Sequence, residues 1–144
     1  MSDRSEILRA REGRMEREQS QERFQAVLRL PAARRYAYFL QRAVESGEVW
    51  GLDGEGWALA LDDAGRDVLP LWPAPEFARL CATRLWEGFL PRAIPLRELL
   101  ENVLPQLEEE GMPVGIFFTP QGQGHPATAR ELIDALRAAS GPAA

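Results

Sequence analysis

The stretch Glu48–Trp72, EVWGLDGEGWALALDDAGRDVLPLW, constrains the fold more than any other. It reads as three short strands joined by two tight turns. Glu48–Leu52 and Gly56–Leu61 are rich in aliphatic and aromatic residues, and Asp53-Gly54-Glu55 separates them. A short glycine-containing loop between two such runs signals a hairpin. Asp62-Asp63-Ala64-Gly65 is a second turn, because Asp accepts local backbone bonds and Gly suits a left-handed position. Asp67–Trp72 follows as the third strand. Alternation groups Trp57, Leu59 and Leu61 on one face and Ala58 and Ala60 on the other. Both faces are fairly apolar, so the sheet should be covered on one face and partly on the other. Pro70 lacks an N–H and argues that the third strand is an edge, at least there.

The flanking segments read as helices that cover this meander. Residues 1–19 are polar apart from Ile7, Leu8 and Met15, and are expected to be disordered or a frayed helix. Met15 is a second candidate translation start. Ser20 is a plausible N-cap for a short helix to Arg29. Pro31 opens a second helix to about Ser46, with Tyr36, Phe39, Leu40 and Ala43 as its apolar stripe. A third helix runs from about Pro75 to Thr83, and Arg92–Ile94 reads as a short strand. Leu96–Glu110 is helical, with Pro105 expected to kink or split it near Val103. Val114–Thr119 is a continuous apolar run between prolines and reads as a central strand. Gln121–Pro126 is a glycine-rich loop, and Thr128–Ala139 is the last helix. The expected class is α+β: one domain over residues 20–139, with a mainly antiparallel sheet of about four to five strands, an N-terminal extension over 1–19 and a flexible tail over 140–144. A chain of 144 residues can build such a core without staples.

Composition removes several chemistries. All 17 basic residues are Arg, so there is no phosphate-loop lysine, Schiff-base lysine or lysine general base. One His and one Cys cannot form a Cys/His zinc site or an internal disulfide. No metal and no cofactor is expected. Residues 1–42 carry 10 Arg against 6 acids, a balance of +4; residues 43–144 carry 7 Arg against 16 acids, a balance of −9. That acidic body has no general attraction for nucleic acid, and the N-terminal Arg residues alternate with Glu as on a salt-bridged helix. No apolar run has the roughly 18 residues of a membrane helix. The start has no apolar signal-peptide core, and the expected compartment is the cytoplasm.

The residues YFLQRAVESGEVWGLDGEGWALALDDAGRDVLPLWPAPEFARLCA carry a likeness. Val49-Trp50-Gly51-Leu52, Gly56-Trp57-Ala58, Leu71-Trp72-Pro73 and Glu76–Cys81 are its main points, with the Thr119-Pro120-Gln121-Gly122 loop downstream. Over roughly Ser20 to Leu136 the chain resembles a bacterial family, domain of unknown function 2750. The resemblance implies a compact bacterial α+β domain and implies no activity. More distantly, the layout is similar to enhanced-serine-sensitivity domains and some toxin-immunity folds, a likeness of fold alone.

The candidate sites each have a plain structural counterpart. Trp50, Trp57 and Trp72 either build the core or leave one face as a docking patch for a protein. Gly122-Gln123-Gly124-His125-Pro126-Ala127 matches G-x-G-x-x-A before a helix, so Gly122, Gly124 and His125 are candidate anion contacts; the short remaining chain and the absence of a following acid argue for an ordinary loop. A catalytic His125 would need a nucleophile such as Ser46 or Ser140, and neither lies in a nucleophile elbow. Asp53, Glu55, Asp62, Asp63 and Asp67 crowd the two turns, where turn chemistry explains them without a cation. Cys81 falls on the apolar face of its helix, which reads as core.

Three functions compete: a non-enzymatic protein-binding module, regulatory or immunity-like; a small-molecule or anion binder, or an enzyme, using a pocket beside the Gly122–Ala127 loop; and an oligomer-forming domain, pairing through Asp67–Trp72. The absence of a catalytic set, the tryptophans and the acidic body favour the first, as a monomer or weak homodimer.

Overall fold

The structure is a computed structural model and describes residues 4–82, 86–122 and 124–141. Thr83 at the expected helix end, Gln123 of the expected loop, and residues 1–3 and 142–144 of the expected extension and tail lie outside the described residues. The chain divides after Pro31 into two units. The first holds α1 (Arg4–Leu28), a single helix of 25 residues. The helix expected to begin at Ser20 is therefore continuous through it. Its charged residues mix both signs along its length, which suits a solvated helix without a broad apolar stripe. Ile7, Leu8 and Met15 are exposed. Among the described residues, no helix is long and apolar enough to cross a membrane.

The second unit is an α+β fold. It begins with α2 (Ala32–Ser46), which buries Arg35, Phe39 and Ala43. Gly47 ends it at φ 76° and donates its N–H to Ala43 across 2.8 Å, a left-handed cap that glycine adopts without a Cβ clash. The chain turns into β1 (Glu48–Asp53), then β2 (Ala60–Leu61) and β3 (Asp67–Leu71). After α3 (Pro75–Cys81), β4 (Leu90–Pro95) pairs antiparallel with β1. A helical stretch follows: α4 (Leu96–Glu98), a π-helical turn (Leu99–Val103) and α5 (Leu104–Glu110). The Leu104 N–H reaches five residues back to Leu99. This split meets the expectation drawn from Pro105, which sits in the first turn of α5, where its missing N–H breaks no bond within that helix. The last elements are β5 (Val114–Ile116), β6 (His125–Ala127) and α6 (Ala129–Ala139).

The sheet runs β2-β3-β5-β6, with only the β3–β5 pair parallel. A bridge between Trp50 and Trp72 joins the β1–β4 pair to it through two backbone bonds of 2.8 Å. Pro70 was expected to mark an edge, at least at its own position; β3 is interior, but on the side away from β5 no strand pairs at Pro70. The alternation of a strand resolves this. Leu69 and Leu71 turn their polar groups to β5, shown by Leu69 N–H to Pro113 and Phe117 N–H to Leu71. Val68, Pro70 and Trp72 face the other side. There β2 pairs with Val68 and β1 with Trp72, so Pro70 falls in the gap between two short partners and its missing N–H breaks no ladder bond.

The second strand also differs from expectation. Only Ala60–Leu61 is regular. Ala58 is buried while Leu59 and Leu61 are exposed.

Candidate functional site

A groove in the surface grows from the end of β5. Phe117 takes φ 66°, unusual for a bulky residue and a conformation that persists only when its surroundings hold it. Here they do. Its N–H donates to Leu71 at 2.8 Å, and its carbonyl accepts from Arg35 Nε at 3.1 Å. Its ring packs on Phe77 with centroids 4.6 Å apart. Arg35 is buried, and desolvation holds its pKa below the ordinary value, while the neighbouring Cys81 pulls the other way.

The next carbonyl is held as well. Phe118 accepts from Trp72 Nε1 at 2.9 Å and from Cys81 Sγ at 3.3 Å. The Phe118 ring sits where two glycines leave room. A Cβ on Gly115 would run into it, and one on Gly124 would lie 2.6 Å from its Cδ1 and 2.6 Å from the Ile116 carbonyl oxygen. Mutual bonds of 3.0 and 3.3 Å between Thr119 and Gly122 then close a turn.

This turn forms one wall of a groove of about 580 Å³. The other walls are Leu59–Leu61 of the β2 edge and Trp86. Trp86 donates its indole N–H to the Leu59 carbonyl at 3.2 Å and meets Trp72 and Phe118 at 5.9 and 6.0 Å, both edge-to-face. Leu59 is 40% and Leu61 66% exposed. The described lining residues are uncharged: apolar side chains with the neutral polar groups of Thr119 and Gln121. Such a surface can bury apolar groups and exchange neutral hydrogen bonds. No described lining residue is a general acid or base.

The three tryptophans expected at a docking patch divide. Trp72 is fully buried and cannot meet a partner. Its role is to position Phe118. Trp57 is half-buried and lies across Gly51, with the Arg92 guanidinium 5.3 Å from its ring and Arg92 also paired to Asp53 at 3.0 Å. Trp50 is half-buried beside the bridge to Trp72.

The anion loop is not built as its motif suggested. His125 and Ala127 belong to strand β6, so no loop leads directly to a helix start. Gly124 is needed for close approach to β5 and Phe118, and Gly122 closes the Thr119 turn. His125 stacks on Tyr36 at 4.5 Å. The α6 start carries its own capping box, in which Thr128 accepts from the Glu131 N–H at 3.0 Å and the Glu131 side chain answers. A carboxylate thus already sits where an anion would bind.

At the hairpin turns, Asp62 accepts the N–H groups of Ala64 and Arg66 at 2.9 and 2.8 Å, and these backbone bonds, with the Arg66 side chain, hold its pKa below the usual carboxylate value. Turn chemistry occupies this carboxylate. Cys81 is buried, and desolvation pushes its thiol up to about 11. It is a packing residue.

Leu59, Leu61 and Phe118 were not singled out by sequence reasoning. The alternation of small and large residues from Ala58 to Leu61 was visible, but which set faced outward depended on Trp86 and Phe118, distant in the chain.

No curated protein matches the chain. The family model described as "Protein of unknown function (DUF2750)" matches residues 36–136, which span β1 to β6 and most of α2 and α6. The chain belongs to the DUF2750 family.

Proposed function

We propose that this protein is a non-enzymatic protein-binding module, with the groove between the β2 edge, Trp86 and the Phe118–Gly122 turn as its binding surface. The observation that carries this reading is a groove whose described lining residues are apolar or neutral and whose wall is held from behind by Arg35, Trp72 and Cys81. Preorganisation of this kind lowers the ordering cost of association. Two large leucines stand exposed at its rim, where a partner would cover them. We assign the module to the cytoplasm, as a monomer or weak homodimer.

A second reading, a small apolar ligand, draws on the groove volume of about 580 Å³, within the usual range for ligand pockets. Affinity capture of the tagged full chain from its own organism separates the two, run beside a Leu59→Asp/Leu61→Asp variant. A stoichiometric protein retained by the wild type and lost from the variant is expected. Equal retention by both chains contradicts the groove as the docking surface, and a small molecule without a protein moves the assignment to the second reading.

A further inference from the structure

We propose that the groove takes an extended peptide with alternating apolar and basic residues, added as a strand to the free edge of β2 at Leu61. This inference rests on the protein-binding reading and specifies the groove's occupant.

The edges of the sheet differ. β4 carries Pro91 and Pro95, and β6 carries Pro126, so each lacks donors that a pairing strand needs. β2 has no proline. The Asp62 N–H donates to the Arg66 carbonyl at 2.9 Å, and Ala60 stands opposite Val68, so the even-numbered residues bond to β3. The N–H and C=O of Leu61 therefore point out of the sheet. The same edge already accepts a donor two residues earlier, where Trp86 Nε1 bonds to the Leu59 carbonyl. An added strand would bond to Leu61 through two backbone hydrogen bonds and run past Trp86.

Charge sets the partner's chemistry. Leu61 stands directly opposite Asp67, so the two side chains share a face, and Asp63 lies just beyond. Asp63 and Asp67 are exposed and make no ion pair among the described residues. A strand presents alternate residues to opposite faces. One row would meet Phe118 and Trp86 and should be apolar. The other would lie beside Leu61 and Asp67 and should carry Arg or Lys.

The test titrates the full chain by calorimetry with a synthetic heptapeptide of alternating Arg and Val and with its Glu/Val counterpart. The expected result is binding of the Arg/Val peptide, at least tenfold weaker binding of the Glu/Val peptide, and at least a tenfold loss with Leu61→Pro. Pro at 61 removes an outward N–H and leaves the ladder to β3 intact. Methylating one alternate set of peptide amides should abolish binding to the wild-type chain while the other set is tolerated, which does not depend on how the variant folds. Equal binding to Leu61→Pro with no difference between the methylated sets overturns strand addition, yet leaves the capture result standing. Failure of the Arg/Val peptide to bind, or equal binding of both charge types, overturns the basic partner. Self-association abolished by Leu61→Pro assigns the edge to a second copy instead and also overturns it.

Discussion

The indole N–H of Trp72 donates to the carbonyl oxygen of Phe118 across 2.9 Å, tying the end of β3 to the turn that walls the groove. Trp72 is fully buried and Phe118 half-buried, so the bond sits at the margin of the core. With Arg35 on the Phe117 carbonyl, it fixes two successive carbonyls after β5. The groove wall is therefore part of the core's hydrogen bonding rather than a free surface loop.

Trp72→Phe keeps most of the aromatic volume and removes the donor. It should cost about 2 kcal/mol, from the lost bond and the space left by the smaller ring. Urea unfolding of the two chains measures this. A loss below about 0.5 kcal/mol would mean that the bond does not anchor the turn.

Gly115 and Gly124 should respond differently to a methyl group. Gly115→Ala meets only side chains, Phe118 and Val68, and should cost about 1–3 kcal/mol, mostly recovered in a Phe118→Ala background. Gly124→Ala also meets the Ile116 carbonyl oxygen, so the same truncation should leave most of its cost in place. A double-mutant cycle for each pair reads the difference, and equal rescue at both positions would contradict the packing described.

Cys81 gives a pH signature. Its folded-state value of about 11 lies above the ordinary 9.0 because burial favours the neutral thiol. The unfolded chain loses that proton from about pH 9 upward while the native chain keeps it. Stability from this group is thus full below pH 9 and lost as pH rises through 11. Tyr36, raised by burial and by Glu131, adds a fall of the same sign above pH 10. Urea midpoints from pH 8 to 10.5 should decline more steeply for the wild type than for Cys81→Ala. Parallel declines would place the thiol in a solvated setting.

Arg35→Leu removes the donor to Phe117 and leaves a carbonyl unsatisfied beside a strained backbone. The expected loss is about 2–3 kcal/mol, with faster amide exchange over residues 117–122 than over α6. A uniform change across the second unit would separate Arg35 from the turn.

Local signals carried much of this fold. The first half of the VGIFFT run was legible as a central strand, since nothing polar breaks it, but the strand stops at Ile116, where Phe117 turns to φ 66°. Pro105 was legible as a helix break, also from a local signal. Pro70 was not, because whether its missing N–H matters depends on the gap between β1 and β2. The G-x-G-x-x-A match reads as an ordinary loop, and Gly124 is placed by close approach to Phe118 and Ile116. The groove itself was hidden. Its walls come from three separated segments, and its exposed leucines lie in a strand whose inward face is lined by alanine.

The most direct test of the groove is an amide shift map of the isotope-labelled full chain, titrated with the captured partner. The account predicts shifts centred on residues 59–61, the Trp86 indole and residues 118–122, lost in the Leu59→Asp/Leu61→Asp variant. Shifts centred instead on Trp57 and Arg92, or on Tyr36 and His125, would contradict it.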